Sequence, residues 1–247
     1  ADPLFSFFDE RLTSLEYRMH EKSDEIRQFF LACALCHTCL AEGDSLDAEF
    51  PDEEALVHAA EKFGIRFVGT SNGMMTIEWG TTNIFSHYEV LHMIPFTALR
   101  KRMTIVVREV TVTSEPSNGS YDIERVESIN TTADLFLGND TDGNGQSTIA
   151  TDSVLVITKG AEGVIVNSLT DEHSFHKATI QSAQHLASQG LRTMMFAQKL
   201  MPYTKWKDWF ERFQKATNGY GSDVLDRTHP ERKLDEEVTE EEAEARN

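Results

Sequence analysis

IRFVGTSNGMMTIEW, Ile65 to Trp79, holds two short apolar runs broken by Gly-Thr-Ser-Asn-Gly, and that break decides how the sheet is built. Residues 65–68 and 74–79 read as strands, and a turn this short and this rich in glycine and asparagine returns the chain antiparallel to itself. Gly-Thr-Thr-Asn at 80–83 repeats the device before a third strand, His87 to Ile94, and residues 102–113 alternate well enough to form a fourth. Upstream, apolar residues at helical spacing predict a helix from Glu25 to Leu40. A second is predicted from Asp52 to Phe63, opened by Pro51, a residue favoured in the first turn, and closed by Gly64. Downstream the pattern predicts a strand at 153–158, helices at 162–169 and 177–189, a last strand at 191–198 and a helix at 203–216. The expected fold class is α+β, a twisted antiparallel sheet flanked by helices.

The 247 residues, 40% of them hydrophobic, suffice for one large domain or two small ones. We expect a single domain over 1–247. Within it, residues from about 114 to 152 are a polar loop insertion, and about 231–247 are an acidic helix or tail with eight carboxylates against three basic residues. A formal charge of −18 argues against a nucleic-acid binder, which needs a basic face, but leaves room for a nucleotide held by a local cationic cluster. The longest apolar run, Phe29 to Ala41, is shorter than the roughly 20 residues that span a bilayer. No signal peptide is recognisable, so a soluble chain is expected. Cys33, Cys36 and Cys39 cannot all pair and fit a reducing compartment.

Three segments carry chemistry: PDEEALVHAAEKFG from Pro51, IPFTALRKRM from Ile94 and VLVITKGAEGVI from Val154. Together they bring an aromatic face, two lysines and a carboxylate to strand and helix ends without a glycine-rich phosphate cradle. That set reads as a pocket for a purine nucleotide rather than machinery for cleaving one. Taken singly, each residue has a plainer role. Phe96 would be a core aromatic, Lys159 a strand-end lysine in water, Glu53 a first-turn carboxylate on the helix dipole, and Arg192 a surface cation.

In order and residue type the segments resemble the nucleotide-binding domain of P-type ATPases, and among these the type IV members, the phospholipid flippases. The resemblance rests on Asp52-Glu53-Glu54-Ala55-Leu56-Val57, Arg100-Lys101-Arg102-Met103, Lys159-Gly160-Ala161-Glu162 and Gly190-Leu191-Arg192-Thr193. Outlying matches are Phe5-Ser6-Phe7-Phe8-Asp9, Ala34-Leu35-Cys36-His37-Thr38 and the Trp206, Trp209, Phe210 helix. It spans nearly the whole chain except about 111–152. By that resemblance Phe96 stacks on adenine, Glu53 accepts from the adenine amino edge, Lys159 and Lys101 line the pocket, and Arg192 reaches ribose or phosphates. ATP is the implied ligand. Magnesium would be bound mainly through a phosphorylation domain absent from this chain. The implied partners are the phosphorylation, actuator and transmembrane domains of a larger membrane protein, with this domain a monomer on the cytosolic face when isolated. Two positions depart from the family: Phe50 stands where a serine is usual, and Ala98 where a small hydroxyl residue is common.

Other motifs lead elsewhere. Cys33-Ala34-Leu35-Cys36-His37 spells a c-type haem attachment, yet lies in an apolar helix whose buried face is the better reading. Asp140-Thr141-Asp142-Gly143-Asn144-Gly145 begins like a calcium loop but has Thr151 where a bidentate glutamate is required. The sequons at Asn118, Asn130 and Asn139 carry no weight if the chain stays out of the secretory pathway. The sequence has no Walker A motif, and neither the Asp-Lys-Thr-Gly-Thr nor the Thr-Gly-Glu-Ser block with which P-type ATPases phosphorylate and dephosphorylate themselves. We therefore expect ATP binding without hydrolysis and name no catalytic residue. The alternatives are the same domain of a cation pump, which the 52–57 and 100–103 blocks argue against, and a metal-binding interaction module built on residues 140–151.

Overall fold

A computed structural model of the chain describes residues 9–13, 16–42, 45–80, 84–112, 123–124, 153–170 and 176–217. In order they form helix α1 (Glu10–Thr13), a 3-10 turn (Glu16–Met19), α2 (Ser23–Leu35), β1 (Leu40–Glu42), β2 (Ser45–Asp47), α3 (Pro51–Lys62), β3 (Ile65–Ser71), β4 (Met74–Trp79), β5 (Ile84–Ile94), β6 (Arg102–Val112), β7 (Ile123–Glu124), β8 (Ser153–Gly160), α4 (Glu162–Val166), α5 (His176–Ser188), β9 (Met195–Pro202) and α6 (Tyr203–Thr217). Contacts divide the chain into a unit of residues 1–203 and a second of residues 204–247. In the second, the described residues belong to α6, whose Trp206 and Phe210 stack at 5.0 Å, as do Trp209 and Phe213 at 5.1 Å, each pair one helical turn apart. Apart from Ile123–Glu124, the expected insertion and the acidic tail lie outside the described residues.

The main sheet runs β3-β4-β5-β6-β8-β9, every neighbouring pair antiparallel, with β7 added beside the end of β6. The hairpin between β3 and β4 is tighter than its sequence suggests. Gly69, Thr70 and Ser71 continue the strand, and only Asn72 and Gly73 turn, both at positive φ (51° and 74°) as a two-residue hairpin loop demands. Alternation sends Phe67, Ile77, Met103, Ile105, Val107, Leu155 and Ile157 into one core with Leu31, Leu35, Val57, Ala60 and Phe63 of the first helices. Burying each large aliphatic side chain there contributes on the order of 1.5–3 kcal/mol.

Among the boundaries that differ from the sequence reading, two bear on the site. The last strand begins at Met195 rather than 191, which leaves Leu191 to Met194 as a connector after Gly190, a glycine at φ +83°. Helix α2 stops at Leu35 rather than Leu40, and His37 stops it. The imidazole Nε2 lies 2.8 Å from the Ala34 carbonyl, one of the acceptors a helix end leaves orphaned, while Nδ1 accepts the Cys39 N–H at 3.1 Å. These two bonds define a neutral ring protonated on Nε2. The ring also meets Phe67 edge-on at 4.5 Å.

Burial pushes the His37 pKa down to about 4, so between that value and the ordinary 6.5 the unfolded chain holds the extra proton. Stability is then complete above pH 6.5 and falls as pH drops towards 4, by about 3 kcal/mol from this group. Urea unfolding across that range should show the loss, reduced in His37→Asn. Parallel losses in both proteins would mean that the ring is not held neutral.

Candidate functional site

Helix α3 starts without a side-chain cap, because Phe50 at the N-cap position has no oxygen to offer. Asp52, Glu53 and Glu54 compensate in the first turn, where carboxylates face the positive end of the helix dipole. Glu53 is nevertheless not a surface residue. It is 5% exposed, its Oε1 lies 2.6 Å from Lys159 Nζ, and its Oε2 accepts from both the backbone N–H (2.8 Å) and the hydroxyl (2.6 Å) of Thr38.

Lys159 is not at a strand end in water either. β8 runs on to Gly160, so alternation places residue 159 on the face already holding Leu155 and Ile157, where it is 4% exposed between its ladder neighbours Met103 and Phe196. A lysine survives at such a position because the carboxylate meets it. Burial raises the Glu53 pKa, but the hydrogen bonds from Lys159 and Thr38 and the ammonium charge outweigh that and hold it below the ordinary carboxylate value. Around the pair lie Cys33, Cys36 and Cys39. Burial pushes the first two thiols up to about 12 and the third to about 11, so they are neutral neighbours. Cys33 on α2 and Cys36 just beyond its end are both inside the core, which leaves neither thiol exposed for a haem attachment.

Phe96 and Lys101 occupy the connection between β5 and β6, at the same end of the sheet as Gly160. Phe96 is 51% exposed, so it is not the core aromatic that its type alone suggests. Lys101 precedes β6 rather than lying in it, at φ +52°, a strained value for a residue with a Cβ. Hydrogen bonds fix it there: its N–H donates to Thr97 O at 2.7 Å and its carbonyl accepts from Ala161 N–H at 3.0 Å. The same close approach explains Gly160, where a Cβ would run into the Lys101 carbonyl oxygen and come within 2.9 Å of Arg102 Cα. The glycine makes room for protein backbone. Arg192, its side chain 84% exposed, ion-pairs with Asp52 Oδ2 at 2.7 Å, which ties the connector before β9 to the start of α3.

The five residues singled out from sequence therefore gather around one end of the sheet. Among them the direct side-chain contact is Glu53–Lys159. Thr38 and Asp52 were not singled out, because no local pattern reports a contact between residues 38 and 53, and Asp52 reads as one more first-turn acid. The arrangement offers a desolvated donor and acceptor side by side, a half-exposed ring, and cations at the rim. Among the described residues no three histidine, cysteine or carboxylate groups converge as a metal-ligand set. No described helix is long and apolar enough to cross a membrane.

Removing one member of a buried ion pair strands the other, which costs about 3–5 kcal/mol. Lys159→Met and Glu53→Gln should each destabilise the chain by that order in urea unfolding. The double variant should lose less than the two losses added, by more than about 1 kcal/mol. Additive losses would show that the two side chains do not interact.

No protein-family model matches the chain. Curated proteins do match it: Probable phospholipid-transporting ATPase 7 of Arabidopsis thaliana is 27% identical over 228 residues, 89% of this chain and 15% of that protein. Phospholipid-transporting ATPase IC of Xenopus tropicalis is 28% identical over 236 residues, 93% of the chain and 15% of that protein. Phospholipid-transporting ATPase DNF1 of Saccharomyces cerevisiae is 28% identical over 211 residues, 78% and 11% respectively. The chain spans about 15% of the length of the first of these relatives. Sequence and architecture agree: the chain is similar to type IV phospholipid-transporting ATPases over most of its length, and its antiparallel sheet flanked by helices is an α+β fold consistent with that of a P-type ATPase nucleotide-binding domain.

Proposed function

We propose that the chain is the ATP-binding domain of a phospholipid-translocating P-type ATPase. It grips the nucleotide by its adenine end and presents the γ-phosphate to an aspartate of a separate phosphorylation domain. The observation that carries this reading is the buried Glu53–Lys159 pair at the end of the sheet whose β5–β6 connection carries the half-exposed Phe96. An ionised carboxylate has about four accepting positions and an ammonium three donors. Thr38 takes two positions on Oε2, and the pair itself takes one on Oε1 and one ammonium proton. What remains is an acceptor next to donors, matched to the adjacent amino donor and ring-nitrogen acceptor of adenine. Phe96 supplies the stacking face, Lys101 and Arg192 the outer cations.

Binding and positioning are the domain's contribution, since phosphoryl transfer depends mainly on alignment and electrostatics. Magnesium would be held mainly by the phosphorylation domain rather than by residues of this chain, and would supply charge neutralisation at the phosphates there. The parent protein is read as a membrane protein with this domain on the cytosolic side.

Calorimetry with the purified chain should give an ATP dissociation constant on the order of 0.1–1 mM, about −5 kcal/mol, without phosphate release. Phe96→Ala should weaken it about 5- to 100-fold through lost stacking, with little change in thermal midpoint because half the ring is already in water. Lys101→Gly is a second clean probe. Glycine suits φ +52°, so the fold should hold or gain slightly while affinity falls several-fold. Unchanged affinity in both variants, or phosphate release above buffer, would defeat the reading.

A further inference from the structure

We infer that Thr38 is a positioning residue for the nucleotide site, fixing through its hydroxyl and its backbone N–H the rotamer and the charge of Glu53. The inference rests on the nucleotide-binding reading above and adds to it a residue that touches no ligand. Thr38 meets one carboxylate oxygen twice, at 2.6 and 2.8 Å, on the side away from Lys159. Without those donors Glu53 could swing Oε2 towards the ammonium and close on it with both oxygens. The acceptor left for a ligand would then be spent on Lys159. With them, Oε2 is saturated and Oε1 alone faces the lysine.

The support for Thr38 is itself rigid. It follows His37, whose ring is tied to Ala34 O on one side and Cys39 N–H on the other, so the two residues form a short pinned turn between α2 and β1. This turn, not α3, sets where the Glu53 carboxylate stops. A threonine suits the position because its hydroxyl and its own N–H converge on one acceptor, which leaves the hydroxyl replaceable without touching the backbone donor.

The groups facing Glu53 are Lys159 from β8, the thiols of Cys36 and Cys39, and the His37 ring; Glu54 lies beside it on α3. Both thiols are neutral below pH 7 and the ring is neutral above about 4. Between pH 4.5 and 7 the unaltered chain should therefore lose no affinity through Glu53, whose carboxyl titrates below that window, and a Glu53 titration raised into the window would appear as an acid limb superimposed on the nucleotide's own titrations, which are common to every variant. Glu53 is held below its ordinary value, so affinity that needs its carboxylate persists above that value and is lost as pH falls through the depressed one.

The test compares the unaltered chain with Thr38→Val, which removes only the hydroxyl donor, and Thr38→Ser, which keeps it. Two quantities are read: the Glu53 carboxyl titration by carbon-13 NMR without ligand, and ATP affinity by calorimetry from pH 4.5 to 7. The valine variant should titrate Glu53 at higher pH, bind ATP about tenfold more weakly at pH 7, and lose affinity at higher pH. The serine variant should match the unaltered chain in all three. If the carboxyl titration does not move in the valine variant, or if ATP binds it with unchanged affinity and pH profile, the inference is overturned. Should the valine variant fail to fold, a serine variant that binds weakly or titrates high overturns it just as well. If the unaltered chain binds no ATP, the nucleotide reading falls and Thr38's role at that site falls with it. A carboxyl shift in valine, reversed in serine, would then still support the fixing of the Glu53 charge.

Discussion

A carboxylate and an ammonium, both withdrawn from water at one end of a sheet, set the terms for everything around them. Desolvating either ion alone costs several kcal/mol, so Glu53 and Lys159 are each tolerable only because the other is 2.6 Å away. Their meeting fixes how the first turn of α3 sits over β8, 106 residues later in the chain. Thr38 completes the contact from the turn after α2. Three segments far apart in sequence thus converge on one polar point inside an otherwise apolar core.

The same constraint explains the neighbours. With Lys159 facing inward, Gly160 is the last residue of its strand and must admit the Lys101 carbonyl, and Lys101 stands at positive φ where the β5–β6 connection enters β6. That connection also carries Phe96. Asp52, next to Glu53, collects Arg192 from the connector before β9. Phe96, Lys101 and Arg192 lie at the same end of the sheet as the pair because the backbone geometry that buries it brings those connections together.

Much of the architecture was legible where the signal is local. Pro51 and Gly64 bracket α3, and Asn72-Gly73 forces a hairpin, because proline and positive-φ residues act through their own backbone. Helix α2 was read five residues too long because an apolar run continues past Leu35. What ends it is an imidazole bonding back to Ala34, a side-chain effect that periodicity cannot register. The last strand was placed four residues early for a similar reason, since Leu191 to Met194 are apolar enough to pass as strand. The β1–β2 hairpin was missed because its strands are three residues each. The candidate site residues were named through the resemblance to a family. Taken singly, Glu53 and Lys159 looked like surface charges, and only the long-range fold reveals that they are inside and paired.

Whether a purine base docks against this pair is the decisive question. Intermolecular NOEs in the ATP-bound chain address that directly. The adenine H2 and H8 protons should show contacts to the Phe96 ring and to the Lys159 methylenes. Contacts from those protons to a different set of side chains, with Phe96 and Lys159 untouched, would contradict it.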